Sequence, residues 1–237
     1  MTENKAIRIG LIHATMNSVQ PICEAFRKHA PQVTLLHFMD EGLIFELNET
    51  GMITTAMVRR LASLIERAEE SGVDGILLTC SSFSPYVPQI RGLFSTPVVS
   101  ADTSMLEYAV QAAERIGVIA TVGTAGPITT EQLKQMAADE GKTIKVRTEI
   151  VPEAFFALQN GDGDRHDALI REKVAELSAT CEIVLLAQMS MARALDSFAV
   201  QPSVPVLTSP DISIRTILER LSMEGGGSGR QADLTRK

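Results

Sequence analysis

Short apolar runs alternate with stretches of helical periodicity along almost the whole chain. Residues 7–12, 33–38, 75–79, 97–100, 116–121, 144–150, 183–187 and 204–207 read as strands. Several are apolar at consecutive positions, as a strand covered by helices on both faces of a parallel sheet must be. Between them, Val19, Ile22, Cys23 and Phe26 follow the i, i+3, i+4, i+7 rule of one helix face. Ile53, Met57, Leu61, Leu64, Ile65 and Ala68 do the same, and Gly72 is placed to end that helix. Thr129 and Gln132 have capping-box spacing, which predicts a helix opening at Thr129 and closing at Gly141. Val174, Leu177 and Cys181 share a further face, and Ile214, Ile217, Leu218 and Leu221 share the last. Strands and helices alternating at these lengths predict an α/β fold with parallel sheets.

The two halves repeat. Arg-Ile-Gly-Leu-Ile at 8–12 returns as Arg-Ile-Gly-Val-Ile at 115–119, an offset of 107. The run from Asp74 to Ser82 aligns with Glu182 to Ser190, and Pro97 to Ser100 aligns with Pro205 to Thr208, both at 108. Three segments in one order at offsets of 107 and 108 predict two pseudo-symmetric, Rossmann-like open-sheet lobes, residues 1–98 and 99–208. The helix at 209–224 is expected to pack back on the first lobe, and the glycine-rich 225–237 reads as a flexible tail. In a duplicated open sheet a ligand sits outside the carboxyl ends of the strands, here in the cleft between lobes.

Charge narrows the partners. The 22 basic and 29 acidic residues give −7, and without the tail 19 basic against 28 acidic groups give −9. Nucleic acid is therefore not expected, since phosphate binding calls for a basic surface. No apolar run approaches the ~18 residues of a membrane span. The first residues carry no hydrophobic leader, and three cysteines are too few for a disulfide scaffold, so a cytoplasmic location is expected. No cysteine pair has metal-site spacing, and the acidic stretch at 161–167 lacks that of a calcium loop, so no metal is expected.

The chemistry is sought at the strand ends. Cys80 follows an apolar strand and precedes Ser81 and Ser82, so its thiolate is expected below the free value of about 8.5. The two serines offer hydroxyls and N–H groups to a carboxylate. On this reading iodoacetamide finds Cys80 before Cys23 or Cys181, both assigned to apolar helix faces. His13, just past the first strand, either polarises the thiolate or bonds a loop carbonyl. Thr15 lies beside it. In the second half, Thr121, Gly123 and Thr124 form a turn suited to an anion, and Gln188 and Ser190 occupy the strand end that corresponds to Cys80. Asp40 and Glu41 serve a substrate ammonium or a helix cap. His29, His37 and His166, the last beside a turn, read as structural.

Three of these segments carry a resemblance over residues 6–222: Leu-Leu-Thr-Cys-Ser-Ser at 77–82, Gly-Val-Ile-Ala-Thr-Val-Gly-Thr at 117–124, and Leu-Leu-Ala-Gln-Met-Ser at 185–190. The chain resembles the aspartate/glutamate/hydantoin racemase superfamily, which includes arylmalonate decarboxylase and maleate isomerase. The resemblance implies a cofactor-independent isomerase acting on a small carboxylate, assembled as a homo-oligomer. The racemases set one cysteine of each lobe on opposite faces of the substrate's α-carbon, and the residues after each cysteine hold the carboxylate. Cys80 matches the first cysteine, followed by Ser81 and Ser82 where Asn-Thr is common. Gln188 stands where the second belongs, and an amide donates hydrogen bonds but exchanges no proton with carbon. The resemblance thus implies Cys80 and His13 as catalytic groups. Thr15, Ser81, Ser82, Thr121, Gly123, Thr124, Gln188 and Ser190 fall to substrate binding. With one thiol, decarboxylation, cis–trans isomerisation of a small dicarboxylate, and ligand binding without turnover stand beside racemisation. Arylmalonate decarboxylase also uses one cysteine, in the other lobe.

Overall fold

Both halves of the chain build the same sheet. The computed structural model describes residues 6–198 and 201–227. In the first half β1 (Arg8–His13), β2 (Thr34–Met39), β3 (Gly75–Leu78) and β4 (Val98–Ser100) form a parallel sheet in the order β2-β1-β3-β4. In the second, β5 (Arg115–Ala120), β6 (Lys145–Ile150), β7 (Ile183–Leu186) and β8 (Val206–Leu207) form a parallel sheet in the order β6-β5-β7-β8. The registers correspond: Leu11 pairs with His37 and Leu77, and Val118 pairs with Thr148 and Leu185. All eight strands read from the pattern are present. The inner strands β3 and β7 are buried at every position, which is why their sequences carry no polar alternation.

The helices follow their apolar faces. α1 (Val19–His29) buries Ile22, Ala25 and Phe26. α3 (Thr55–Glu70) buries Met57, Leu61, Leu64, Ile65 and Ala68, is capped by the Thr54 hydroxyl, and ends before Gly72 at φ 70°. Three helices lack a clear period in sequence: α2 (Gly42–Thr50), α5 (Thr103–Ala112) and α7 (Pro152–Gln159). The short α4 (Val87–Ile90) closes a 3-10 segment. α6 (Ala125–Asp139) begins four residues before the expected Thr129. Pro127 lies in its first turn, where an N–H has no intrahelical partner to lose, so the helix runs through it. Thr129 Oγ1 and Gln132 Oε1 are buried without partners, and the expected capping box does not form. α8 (Gly163–Ser178) is capped by Asp162, which accepts from the Arg165 N–H. His166 lies buried inside this helix rather than beside a turn, bonded to Asp167. Cys181 is not on a helix face: it follows the end of α8 and packs against Gly117.

α9 (Ser209–Gly227) lies on α1, β3 and β4 of the first sheet. Its Ile214 and Ile217 join a core with Ile9, Leu11, Ile22, Phe26 and Leu77. The helix extends to Gly227, into the glycine-rich stretch read as flexible, and 228–237 lie outside the described residues. Among the described residues no helix is long and apolar enough to cross a membrane.

Candidate active site

Cys80 and Gln188 hold the same place in the two lobes. Each follows a central strand in extended conformation, with φ −112° and −119°, and each precedes a 3-10 segment, Ser81–Tyr86 and Met189–Ser197. Both line one enclosed cavity of about 30 Å³, roughly the room of a single water. Of the residues read from sequence, Thr15, Ser81, Ser82, Thr121 and Ser190 line it too. Gly123 and Thr124 do not. They line an adjoining inter-lobe groove of about 760 Å³, which touches the cavity at Ser82. A second groove, about 970 Å³, meets it at Asn17 and Ser190. The cavity therefore sits between two approaches from solvent.

The sulfur behaves differently from the expectation. Its pKa is pushed up to about 11, first by burial and then by the nearby Asp102 carboxyl. N–H groups of Ser82 and Phe83 and the Ser82 hydroxyl pull the other way and lose. Donors at the head of a six-residue 3-10 segment do not compensate for complete loss of water. At rest Cys80 is a thiol. Burial also argues against labelling of Cys80 ahead of Cys23, because Cys80 and Cys181 are buried while Cys23 is partly exposed, 3.8 Å from His37 Nε2.

Asp102 had no place in the sequence reading. It ends β4 at the head of α5 and is buried, with Oδ1 accepting from Ser84 Oγ at 2.6 Å and from Ser100 Oγ. Its Oδ2 has no partner. Burial raises the carboxyl's pKa against the pull of the two serines. The strand-end rule, applied to β4, would have found it.

His13 is fully buried, and both ring nitrogens are engaged. Nδ1 lies 2.8 Å from Ser18 Oγ and 2.8 Å from Thr79 Oγ1, and Nε2 lies 3.0 Å from His37 Nδ1. The two rings stack at 5.2 Å. Ser18 Oγ also lies 2.9 Å from the Thr15 carbonyl, and Thr79 Oγ1 lies 3.0 Å from the Ile12 carbonyl and 3.1 Å from Ser18 Oγ. Burial, helped by His37, lowers the His13 pKa to about 4. A neutral ring with both nitrogens bonded neither touches nor polarises the sulfur. It positions Ser18 and Thr79, which line the cavity.

Gln188 Oε1 accepts from the Thr121 N–H at 2.8 Å, which leaves Nε2 buried and without a partner. Asn17 Nδ2, on the same cavity, is likewise buried and unpartnered. Asn17 was missed, although the 107-residue offset maps it onto Thr124, whose hydroxyl is also unpartnered. Phe155, Ile44, Val122 and Met189 supply the apolar wall. The acids after β2 are elsewhere: Asp40 holds Arg60 through two bonds, and Glu41 accepts from the Met16 N–H. Neither side chain caps α2, contrary to the expectation for one of them. Among the described residues no group of three or more His, Cys, Asp or Glu is arranged to hold a metal ion.

A family model for Asp/Glu/Hydantoin racemase matches residues 9–217. A glutamate racemase of Trichodesmium erythraeum is 26% identical over 125 residues, 52% of this chain and 45% of that protein, so the chain matches under half the length of this curated relative. The crystal structure of glutamate racemase from Francisella tularensis in complex with D-glutamate superimposes with a TM-score of 0.69 at 16% identity, over 93% of this chain and 82% of that one. An aspartate racemase homologue from Pyrococcus horikoshii gives 0.65 at 16% identity, over 91% and 99%. At these identities the likeness is one of fold.

Proposed function

The chain belongs to the Asp/Glu/hydantoin racemase family, and from that premise we propose a cofactor-independent isomerase of the racemase type, acting through Cys80 at the carbon α to a small-molecule carboxylate. One observation carries the reading: a cysteine and a glutamine at repeat-equivalent strand ends line a single cavity rich in hydroxyl groups.

Proton removal α to a carboxylate leaves an enediolate, unattainable in water at a useful rate. Preorganised donors lower that barrier, each contributing about 3–4 kcal/mol. Ser81, Ser82, Thr121, Ser190 and Thr15 are the donors on this cavity, and Gln188 Nε2 and Asn17 Nδ2 are the ones with nothing else to bind. In the forward step Cys80 first gives its proton to solvent, against the cost that burial sets; the thiolate then forms its S–H bond as the α-C–H bond breaks, and the electron pair moves into the enediolate. Gln188 has no proton to return. The same thiol gives its proton back to that carbon or to another conjugated with it. Exchange with solvent at one face, or migration of the proton, is the expected result.

Decarboxylation is a second reading, favoured by the protonated state of Cys80 at rest. There the bond to a departing CO2 breaks, its electron pair forms the enediolate, and the thiol delivers a proton and recovers one from water. Cis–trans isomerisation through thiolate addition starts, like α-proton removal, from the form that burial disfavours.

Proton NMR in D2O across a panel of small carboxylic acids, malonates included, tests both. Deuterium at the α-carbon without net conversion is the isomerase outcome, and loss of CO2 with one solvent hydrogen gained is the lyase outcome. Cys80→Ala, checked for folding by circular dichroism, should lose at least 10³-fold in either. Undiminished turnover in Cys80→Ala would overturn the proposal. So would a folded wild-type protein that binds a carboxylate and never exchanges or converts it.

A further inference from the structure

We infer that the substrate is a carboxylic acid whose α-substituent is uncharged, not a zwitterionic amino acid, and that its carboxylate is held between the Asn17 and Gln188 amides. This rests on the reading of the cavity as the reaction site.

None of the side chains lining the cavity is charged. Its polar groups are hydroxyls, one thiol and two primary amides, and each amide presents a buried N–H2 with no partner, one from each lobe. A buried donor with no protein partner is costly to leave unpaired, so a ligand that brings acceptors to both is favoured. A carboxylate offers acceptors only, and hydrogen bonds from neutral donors to an anion are the stronger kind. The match is direct.

An ammonium group finds nothing comparable. It is a donor only and, once out of water, calls for an anion or a full set of acceptors. Gln188 Oε1, the acceptor end of that amide, is already taken by Thr121. Asp40 is bound to Arg60, and Glu41 to the Met16 N–H, and neither lines the cavity. Asp102 does not line the cavity: its Oδ1 is engaged by two serines, its Oδ2 is buried without a partner, and burial raises its pKa, against the charge an ammonium would call for. Phe155, Ile44, Val122 and Met189 line the rest of this wall and offer an ammonium no anion; with only about 30 Å³ in the cavity, a substituent larger than a water lies toward the adjoining grooves.

The test uses matched pairs that differ in this one group: lactate and alanine, malate and aspartate, mandelate and phenylglycine. Binding is measured by isothermal titration calorimetry with the full chain. In at least one pair the hydroxy acid should bind ten or more times tighter than its amino counterpart. Asn17→Ala should weaken it at least tenfold. Gln188→Glu, which keeps the oxygen for Thr121 and replaces the free N–H2 by an acidic oxygen, should abolish it at neutral pH in protein that circular dichroism shows to be folded. Equal or tighter binding of the amino acids overturns the inference, as does a panel in which nothing binds. The two failures separate in D2O. Cys80-dependent exchange into an amino acid sinks this inference and leaves the reaction standing. Tight binding of a hydroxy acid that never exchanges does the reverse.

Discussion

His13 shows burial overriding intrinsic behaviour, and it makes a pH prediction. Its folded pKa, about 4, lies below the ordinary 6.5, so the unfolded chain binds the extra proton between those values. Stability from His13 is fully present above pH 6.5, falls as pH drops toward 4, and is gone below it. The loss is on the order of 2 kcal/mol at pH 5 and about 3 kcal/mol in full. His166, also shifted down by burial, acts in the same sense. Carboxylates such as Glu69 and Glu182, held below their usual range by backbone N–H groups, lose their contribution at lower pH still. Urea unfolding of wild type and His13→Gln at pH 7.5 and pH 5 isolates the histidine. The variant should lose about 2 kcal/mol less than wild type across that interval, and parallel losses would show that His13 is not held neutral. Cys80 and Gln188 were legible because strand ends and a constant offset are properties of sequence. The charge states of Cys80 and His13 were not, because both depend on how much water the other lobe, or the other strand, leaves at the atom.

At the level of elements, the pattern located every strand, because a buried parallel strand is a run of apolar residues and little else can be. It missed α2, α5 and α7, whose apolar residues spread around the helix or whose start is a proline, and it began α6 late because Pro127 lies in that helix's first turn. The repeat also places two glycines at one structural position, Gly10 in β1 and Gly117 in β5. A Cβ on Gly10 would stand 3.0 Å from the Cβ of Ala68 on α3, and one on Gly117 would stand 3.2 Å from the Cβ of Leu177 on α8. Each glycine lets a helix lie directly on the central strand. Gly10→Ala and Gly117→Ala should each cost about 1–3 kcal/mol, since backbone-anchored atoms on both sides must move. Gly92, which has open space around it, supplies the control: its change to alanine should stay within about 0.5 kcal/mol in the same urea titrations. A tolerant Gly10 together with a tolerant Gly117 would mean that the helices do not seat as closely as described.

The molecule as a whole is tied together by its last helix. Gly75, the first residue of β3, leaves the space that Ile217 of α9 fills, with Ile217 Cδ1 3.1 Å from where a Cβ would stand. The first sheet is thus finished by residues that follow the second sheet in the chain, and one core cluster includes residues of both halves. Two lobes that look separable in sequence should unfold as one. Ile217 is fully buried, so Ile217→Ala removes about 2–5 kcal/mol, a large share of the roughly 5–15 kcal/mol typical of a folded chain. If the halves were independent, that loss would fall on the first lobe only. The buried thiols report on this directly, because Cys80 belongs to the first half and Cys181 to the second. With Cys23 replaced by serine, alkylation by iodoacetamide is followed at increasing urea and assigned by peptide mass. In the Ile217→Ala protein both thiols should become reactive at the same urea concentration, and that concentration should be lower than in the parent by the same amount for each. Exposure of Cys80 at a urea concentration that still protects Cys181 would separate the lobes energetically and make α9 a local clasp.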